Sequence, residues 1–255
     1  MLGTERLYTA EQTRALDRCA IEGHGVPGIR LMSRAARSVF SSLLEVWPDP
    51  ERIQVLCGTG NNGGDGFLVA DLAHKRGIPT VVFQLGDSAK IGGDALLARR
   101  QAVANGVDIQ PFDPAALVSQ GVIVDAMLGT GLGGEVRGAY RQAIESVNRT
   151  GATVVAVDIP SGLCSDTGRV LGVATRADMT VTFIGLKRGL FTLDAADLVG
   201  AVRFSDLAVP QEIYQQVDCD CSRLELEPLL DRLPARPATA HKGMFGNVLI
   251  VGGDH

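Results

Sequence analysis

Residues 53–70 read IQVLCGTGNNGGDGFLVA. The short apolar run Ile53–Leu56 has no polar alternation, which is the pattern of a strand buried on both faces of a parallel sheet. It leads into Gly58, Gly60 and Gly63, spaced G-x-G-x-x-G, and then into a helix-like stretch over residues 66–76. Strand, glycine turn and helix in that order predict the first βα unit of a nucleotide-binding sheet. The turn carries an acid, Asp65, where a helix N-terminus would otherwise attract anions. Phosphate is therefore not the obvious ligand of this loop.

Outward from this unit, apolar runs and helical stretches alternate as far as residue 204. Strands are expected at IQVLC, TVVFQL, a weaker VDIQ, GVIVDAM, TVVAVDI, DMTVTFI and AVRFS. Helices are expected near residues 66–76, 92–105, 114–119 and 137–149. That alternation predicts a doubly wound α/β domain, a mostly parallel sheet with helices on both faces. Two helices precede it: Thr9 and Gln12 fit a capping box opening the first, and Pro27 suits the first turn of the second.

Composition narrows the function classes. The chain has 255 residues, 45% of them hydrophobic, and a formal net charge of -5 with no basic run. This excludes the electrostatic footprint of a nucleic-acid binder. The start has no apolar leader and the longest apolar runs fall far short of a membrane span, so a cytoplasmic protein is expected. Five cysteines form no C-x-x-C pair and read as free thiols. After residue 222 the composition turns proline-rich, and a fresh strand, NVLIVGG, follows. The expected organisation is a first domain over 1–222, a linker over 223–242 and the truncated opening of a second domain over 243–255.

In a parallel sheet the loops after successive strands collect at the carboxyl edge. Three are suggestive: GTGNNGGDG, then GTGLGG with Gly129, Gly131 and Gly134 again spaced G-x-G-x-x-G, then PSGL after Asp158. The acid that takes the ribose hydroxyls in dinucleotide dehydrogenases is missing, since the second strand ends in Phe83, Gln84 and Leu85. Asn61, Asn62 and Asp65 instead supply oxygens for hydroxyls or a hard cation; the bland alternative for Asn-Asn-Gly-Gly is a left-handed turn. Asp125 and Asp158 follow buried runs, as ligand-facing or merely capping acids. Gathered near Asp65 they would repel without a counter-charge, so a cation with Ser161 as a further oxygen ligand is a sensible resolution. Lys187, in TFIGLKRGL, can reach a phosphate or the reacting ring, or simply be solvated.

GNNGGDG, DAMLGTGL and VDIPSGL, followed by VTFIGLKRGL, resemble the NAD(P)H-hydrate epimerases, the YjeF N-terminal domain, over roughly residues 9–220. The tail, HKGMFGNVLIVGGDH, resembles the opening of the ADP/ATP-dependent NAD(P)H-hydrate dehydratase domain. The resemblance implies a Rossmann-like three-layer fold, commonly a homodimer. It implies an epimerase of the R and S forms of NADHX and NADPHX, feeding the S form to a dehydratase partner, and a bound potassium ion. By the same resemblance the substrate segments fall on Asn61, Asn62, Gly63, Gly64 and Asp65, and on Gly129, Thr130, Gly131, Leu132, Gly133, Gly134 and Glu135, with Asp158 as the acid. The potassium ligands fall on Asn62, Asp125 and Ser161. The dehydratase's own site would lie beyond His255.

Chemically, the hydrated C6 is a hemiaminal, inverted either by loss and return of its hydroxyl or by ring opening. Either route needs proton transfer at that oxygen and stabilisation of positive charge, which a carboxylate near the ring can supply. Asp158 is expected in that role, with Asp65 orienting the substrate and the GTGLGG backbone holding the pyrophosphate. Competing readings are a nicotinamide dehydrogenase, a non-catalytic nucleotide- or protein-binding module, and one part of a longer bifunctional repair enzyme.

Overall fold

A computed structural model describes residues 4–224, together with 226, 230 and 239. It divides into two compact units, Arg6–Cys221 and a smaller one of 1–5 with 222–255. Within the smaller unit, Glu5 and Arg223 form an ion pair at 3.3 Å. The expected linker falls almost wholly, and the expected second-domain opening wholly, outside the described residues.

In chain order the elements are β1 (Thr4–Tyr8), α1 (Ala10–Arg18), α2 (Gly28–Val46), β2 (Ile53–Cys57), α3 (Asn61–Lys75), β3 (Thr80–Gln84), α4 (Gly93–Ala104) and β4 (Asp108–Pro111). There follow β5 (Val122–Ala126), α5 (Gly138–Thr150), β6 (Thr153–Val157), β7 (Met179–Phe183), β8 (Leu186–Lys187), β9 (Ala201–Ser205), α6 (Ile213–Gln216) and β10 (Cys221–Leu224). Seven strands form one sheet in the order β4-β3-β2-β5-β6-β7-β9, and every pairing is parallel. The order reverses at β2 and β5, so a crevice opens where the loops after those two strands diverge.

The apolar strands need cover on both faces, and alternate residues divide between them. Val55, Val124, Val155 and Val181 pack with Phe67, Val69, Val39 and Leu43 of α2 and α3. Leu56, Ile123 and Val154 face the other way, onto Ala143, Ile144 and Val147 of α5. Burying each such side chain stabilises the fold by roughly 1.5–3 kcal/mol. The result is three layers, as the alternation predicts. The capping box also forms: Gln12 N donates to Thr9 Oγ1 at 3.1 Å and Thr9 N donates to Gln12 Oε1 at 2.8 Å.

Two helix expectations need correction. The helix expected over 66–76 begins at Asn61, so the asparagines, both glycines and Asp65 form its opening turns instead of a loop. Gly63 and Gly64 carry poor helix propensity, and tertiary packing overrides it. A Cβ on Gly63 would collide with the Gly58 carbonyl, and one on Gly66 would lie 2.5 Å from Ala126 Cβ and 2.8 Å from Cys57 Sγ. Only a bare backbone lets α3 lie this close to β2 and β5. The helix expected at 114–119 is a single 3-10 turn, Pro114–Ala116. The Asp113 carboxylate takes the Ala115 N–H at 2.9 Å, and the Gln54 amide bonds the Val118 backbone at 2.8 and 3.0 Å, which holds the chain extended after that turn.

Strand β1 was absent from the expected elements. It pairs in parallel with β8, Leu7 opposite Leu186 and Tyr8 opposite Lys187. A Gly66→Ala substitution is expected to lower unfolding free energy by about 1–2 kcal/mol despite better helix propensity, because overpacking at this contact outweighs it; urea denaturation measures the difference.

Candidate active site

A cavity of about 560 Å3 opens at the carboxyl edge of the sheet. Its walls come from α1, the start of α2, the start of α3, the loop after β5, Asp158 just beyond β6, and the Phe183–Lys187 segment. A second cavity of about 350 Å3 lies at the opposite end of the strands, beside Trp47, Gly121 and Thr153. It holds one titratable side chain, Asp49, and none of the expected site residues.

Asp158 takes a left-handed backbone, φ 68°, as does Ile184 at φ 60°. Such angles are uncommon outside glycine, and for a β-branched residue they are a genuine outlier. Both residues line the cavity. The turn is held where Asp158 N donates to Val181 O at 2.7 Å. Its carboxylate forms an ion pair with Lys187 and accepts from Thr182 Oγ1 at 3.2 Å. Lys187 is only 1% exposed. Its ammonium also donates to Thr182 Oγ1 at 3.0 Å and Phe183 O at 2.9 Å. All three N–H bonds are thus engaged within the protein, and none remains for a phosphate.

Two more carboxyls share this space. Burial pushes Asp65 well above the usual carboxyl range, the charges of Asp158 and Asp17 add to the rise, and Lys187 opposes it. Asp17, on α1, is raised to about 6, by burial first, with Lys187 opposing and Asp158 reinforcing. Three carboxyls around one cation cannot all ionise cheaply, which is why two of them are driven toward the protonated form. Asp17 was missed in the sequence. Its signal was a pair of polar residues one turn apart, Thr13 and Asp17, on a helix that otherwise buries Leu16 and Ala10.

Asp125 and Ser161 lie just behind the cavity, both fully buried. Ser161 Oγ donates to Asp125 Oδ1 at 2.6 Å and Ser161 N to Oδ2 at 2.8 Å, while Leu128 N donates to Ser161 Oγ at 2.9 Å. Burial raises the Asp125 pKa, and the Ser161 hydrogen bonds oppose the rise. The next residue, Gly129, faces Asn62: a Cβ there would sit 3.3 Å from Asn62 Cβ. Asn62 is orphaned, since neither Oδ1 nor Nδ2 has a hydrogen-bond partner although both atoms are buried. An unsatisfied buried amide costs roughly 1–3 kcal/mol, so a missing partner is expected there. Amide, hydroxyl and carboxylate oxygens suit a hard cation. No group of three or more His, Cys, Asp or Glu able to hold a metal occurs among the described residues.

Asn61, Asn62 and Asp65 line the cavity from α3, and Gly129, Thr130, Gly131, Leu132 and Gly133 line it from the loop after β5. Gly63 and Gly64 are buried against neighbouring backbone and side chains instead. Gly134 and Glu135 are exposed and outside the lining, where Glu135 pairs with Arg137 at 3.3 Å. Gln84 accepts from Arg99 Nε at 2.9 Å, which occupies the position where a ribose acid would stand. No described helix is long and apolar enough to cross a membrane, and all five cysteines are free.

The family described as "YjeF-related protein N-terminus" matches residues 28–189. The chain belongs to the YjeF N-terminal family. An NAD(P)H-hydrate epimerase of Limosilactobacillus fermentum is 40% identical over 207 residues, covering 80% of this chain and 97% of the relative. The bifunctional NAD(P)H-hydrate repair enzyme Nnr of Coxiella burnetii is 41% identical over 249 residues, 98% of this chain, which spans only 51% of that relative. The chain thus spans about half the length of the bifunctional relatives it matches. The crystal structure of yeast ynu0, YNL200c, superimposes with a TM-score of 0.70 at 19% identity, covering 83% of this chain and 93% of that one, and shares the fold.

The raised Asp17 pKa has a consequence for stability. The folded chain holds this proton more tightly than the unfolded chain, whose carboxyl titrates near 3.8. Below about pH 4 both states carry it; between pH 4 and 6 the unfolded state releases it first and stability falls; above pH 6 the full cost is present. Asp17→Asn is therefore expected to raise unfolding free energy by about 1–3 kcal/mol at pH 7.5 and to change it by less than ~0.5 kcal/mol at pH 4. Chemical denaturation at the two pH values checks the difference.

Proposed function

We propose that the protein is an NAD(P)H-hydrate epimerase, interconverting the R and S forms of NADHX and NADPHX. One observation carries the proposal: four carboxyls, three of them gathered around one ion-paired lysine, meet an apolar wall of Met32, Phe183, Ile184 and Leu207 in a single cavity. Perturbed carboxyls gathered in a cleft mark catalytic sites, which disfavours a purely binding module. The 40% identical relative that the chain covers almost end to end bears the epimerase name. A hydride-transferring dehydrogenase is disfavoured because Gln84 is committed to Arg99.

In this reading the tetrahydropyridine ring rests against the apolar wall, with C6 turned toward the carboxyls on the polar side of the cavity. Asp158, held by Lys187 and Thr182, faces the positive charge that develops on the ring as the C6–O bond breaks. Lys187 acts on the substrate through Asp158, positioning its carboxylate. Asp65, whose pKa burial pushes well above the usual carboxyl range, orients the ring by hydrogen bonding. The backbone of residues 129–133, rather than α3, takes the pyrophosphate. A potassium ion fits Asn62, Asp125 and Ser161, whose oxygens would hold it; when bound it supplies fixed positive charge in a site otherwise rich in carboxyls.

The proposal extends to a cytoplasmic homodimer with residues 1–222 as the epimerase domain, 223–242 as a linker and 243–255 as the opening of a dehydratase domain. The alignment of bifunctional relatives over 98% of the chain supports that division.

Two measurements test this. An R/S mixture of NADHX, given a dehydratase that consumes only the S form, is expected to be consumed completely only when this protein is present; a persistent R residue would refute epimerisation. Asp158→Asn is expected to slow R/S exchange by about 10²–10⁴-fold with binding retained. Separately, millimolar potassium is expected to raise the thermal midpoint relative to a large organic cation at equal ionic strength, and Asn62→Ala to abolish that rise.

A further inference from the structure

Around Lys187 the cavity gathers three carboxyls, Asp158, Asp65 and Asp17, with Asp94 further along its lining, and their surroundings separate them. Asp158 stands in an ion pair with Lys187. Asp65, partly exposed like Asp158 and Asp17, is pushed well above the usual carboxyl range by burial. Lys187 has spent all three N–H bonds. Asp17 is half-buried on the α1 wall, and its carboxyl, like that of Asp65, is engaged by no hydrogen bond among the described residues; what sets Asp17 apart is its neighbour on the helix. One turn earlier on the same helix, Thr13 lines the cavity at 6% exposure, and its Oγ1 is buried without a hydrogen-bond partner. A hydroxyl and a carboxyl at i and i+4 point along one helix face. An unsatisfied buried hydroxyl beside an uncommitted carboxyl reserves two positions for an oxygen that the protein does not itself supply.

We propose that Asp17 is a further catalytic residue, the group that delivers a proton to the departing C6 hydroxyl, with Thr13 Oγ1 holding that oxygen in line. The proposal rests on the epimerase reading. The Asp17 O–H proton passes to the C6 hydroxyl as the C6–O bond breaks, and the bonding pair leaves with the oxygen as water. The ring-nitrogen lone pair moves into the N1–C6 bond, leaving a cation beside the Asp158 carboxylate. Solvent water then adds to the other face of C6, the nitrogen recovers its pair, and the proton shed by the new hydroxyl is relayed through a second water to Asp17. Nothing is gained or lost except configuration at C6.

The division of labour follows from environment. A proton carrier works best with a pKa near the working pH, and burial raises Asp17 to about 6. The charges facing it are Lys187 from β8, Asp158 from the turn after β6, Asp65 from α3 and Asp94 from α4, with Arg14 and Arg18 on its own helix. Binding an apolar ring among them displaces water and favours the protonated form further.

The test uses the full chain and purified R-NADHX. Asp17→Asn is expected to lower kcat for R/S exchange by about 10²–10⁴-fold while KM moves less than about threefold. In the unsubstituted protein kcat/KM is expected to fall as pH rises through about 6, and in Asp17→Asn that limb should vanish. Asp17→Glu should restore part of the rate and the limb, which a structural role for the side chain would not do. Asp17→Ser serves if the Asn form does not fold. Thr13→Val should lower kcat with the pH limb intact. An Asp17→Asn protein with the rate or the limb of the unsubstituted chain overturns the assignment alone. Absence of exchange in the unsubstituted protein overturns the epimerase reading, and this role with it.

Discussion

The ion pair between Lys187 and Asp158 organises everything around it. A lysine at 1% exposure is tolerable only because a carboxylate, a hydroxyl and a carbonyl satisfy its ammonium together. Each partner is delivered by a different constraint. Asp158 reaches it through a left-handed turn beyond β6, Thr182 comes from β7, and Lys187 itself is carried by β8, whose register against β1 sets Tyr8 beside it. Removing either Lys187 or Asp158 would leave the other charge without its counterpart. Burial raises Asp65 and Asp17, and the same cation opposes that rise, so the ion pair that holds the fold together here also bears on the carboxyls of the cavity.

The glycine-rich segment serves that arrangement by what it lacks. Side chains at Gly63 and Gly66 would lift α3 off β2 and β5. With α3 seated this low, Asp65 on its second turn reaches the cavity and Asn62 on its first faces Gly129. Gly58 and Gly63 of the G-x-G-x-x-G spacing therefore work as packing points, while a Cβ on Gly60 would meet open space, and it is the polar residues Asn61, Asn62 and Asp65 that face the cavity. That reverses the usual weighting of such a motif, in which the glycines bring backbone N–H groups to a phosphate.

Much of this was legible before the fold was known, and unevenly so. Fully apolar runs such as Val122–Val124 and Val154–Val157 announce buried parallel strands, and all seven strands of the main sheet were expected. The start of α3 was not, because glycine propensity argues against a helix while close packing requires one. Strand β1 escaped notice because five residues, TERLY, carry too little periodicity to separate a strand from a loop. Asp65, Asp125, Asp158, Ser161 and Lys187 stood out because they follow buried runs at one edge. Asp17 did not, since an acid on a short helix ordinarily reads as solvated.

The sequence by itself determined the layer architecture, the carboxyl edge as the place where the polar strand-end residues gather, and the residue types available there, because periodicity and strand-end position are local properties of the chain. The tertiary structure alone decided how those residues divide their roles. Whether a carboxyl is ionised, neutral or poised depends on burial and on charges contributed by α1, α3, β6 and β8, elements far apart in sequence. Protonation is a property of the assembled cavity, and no local pattern of residues encodes it.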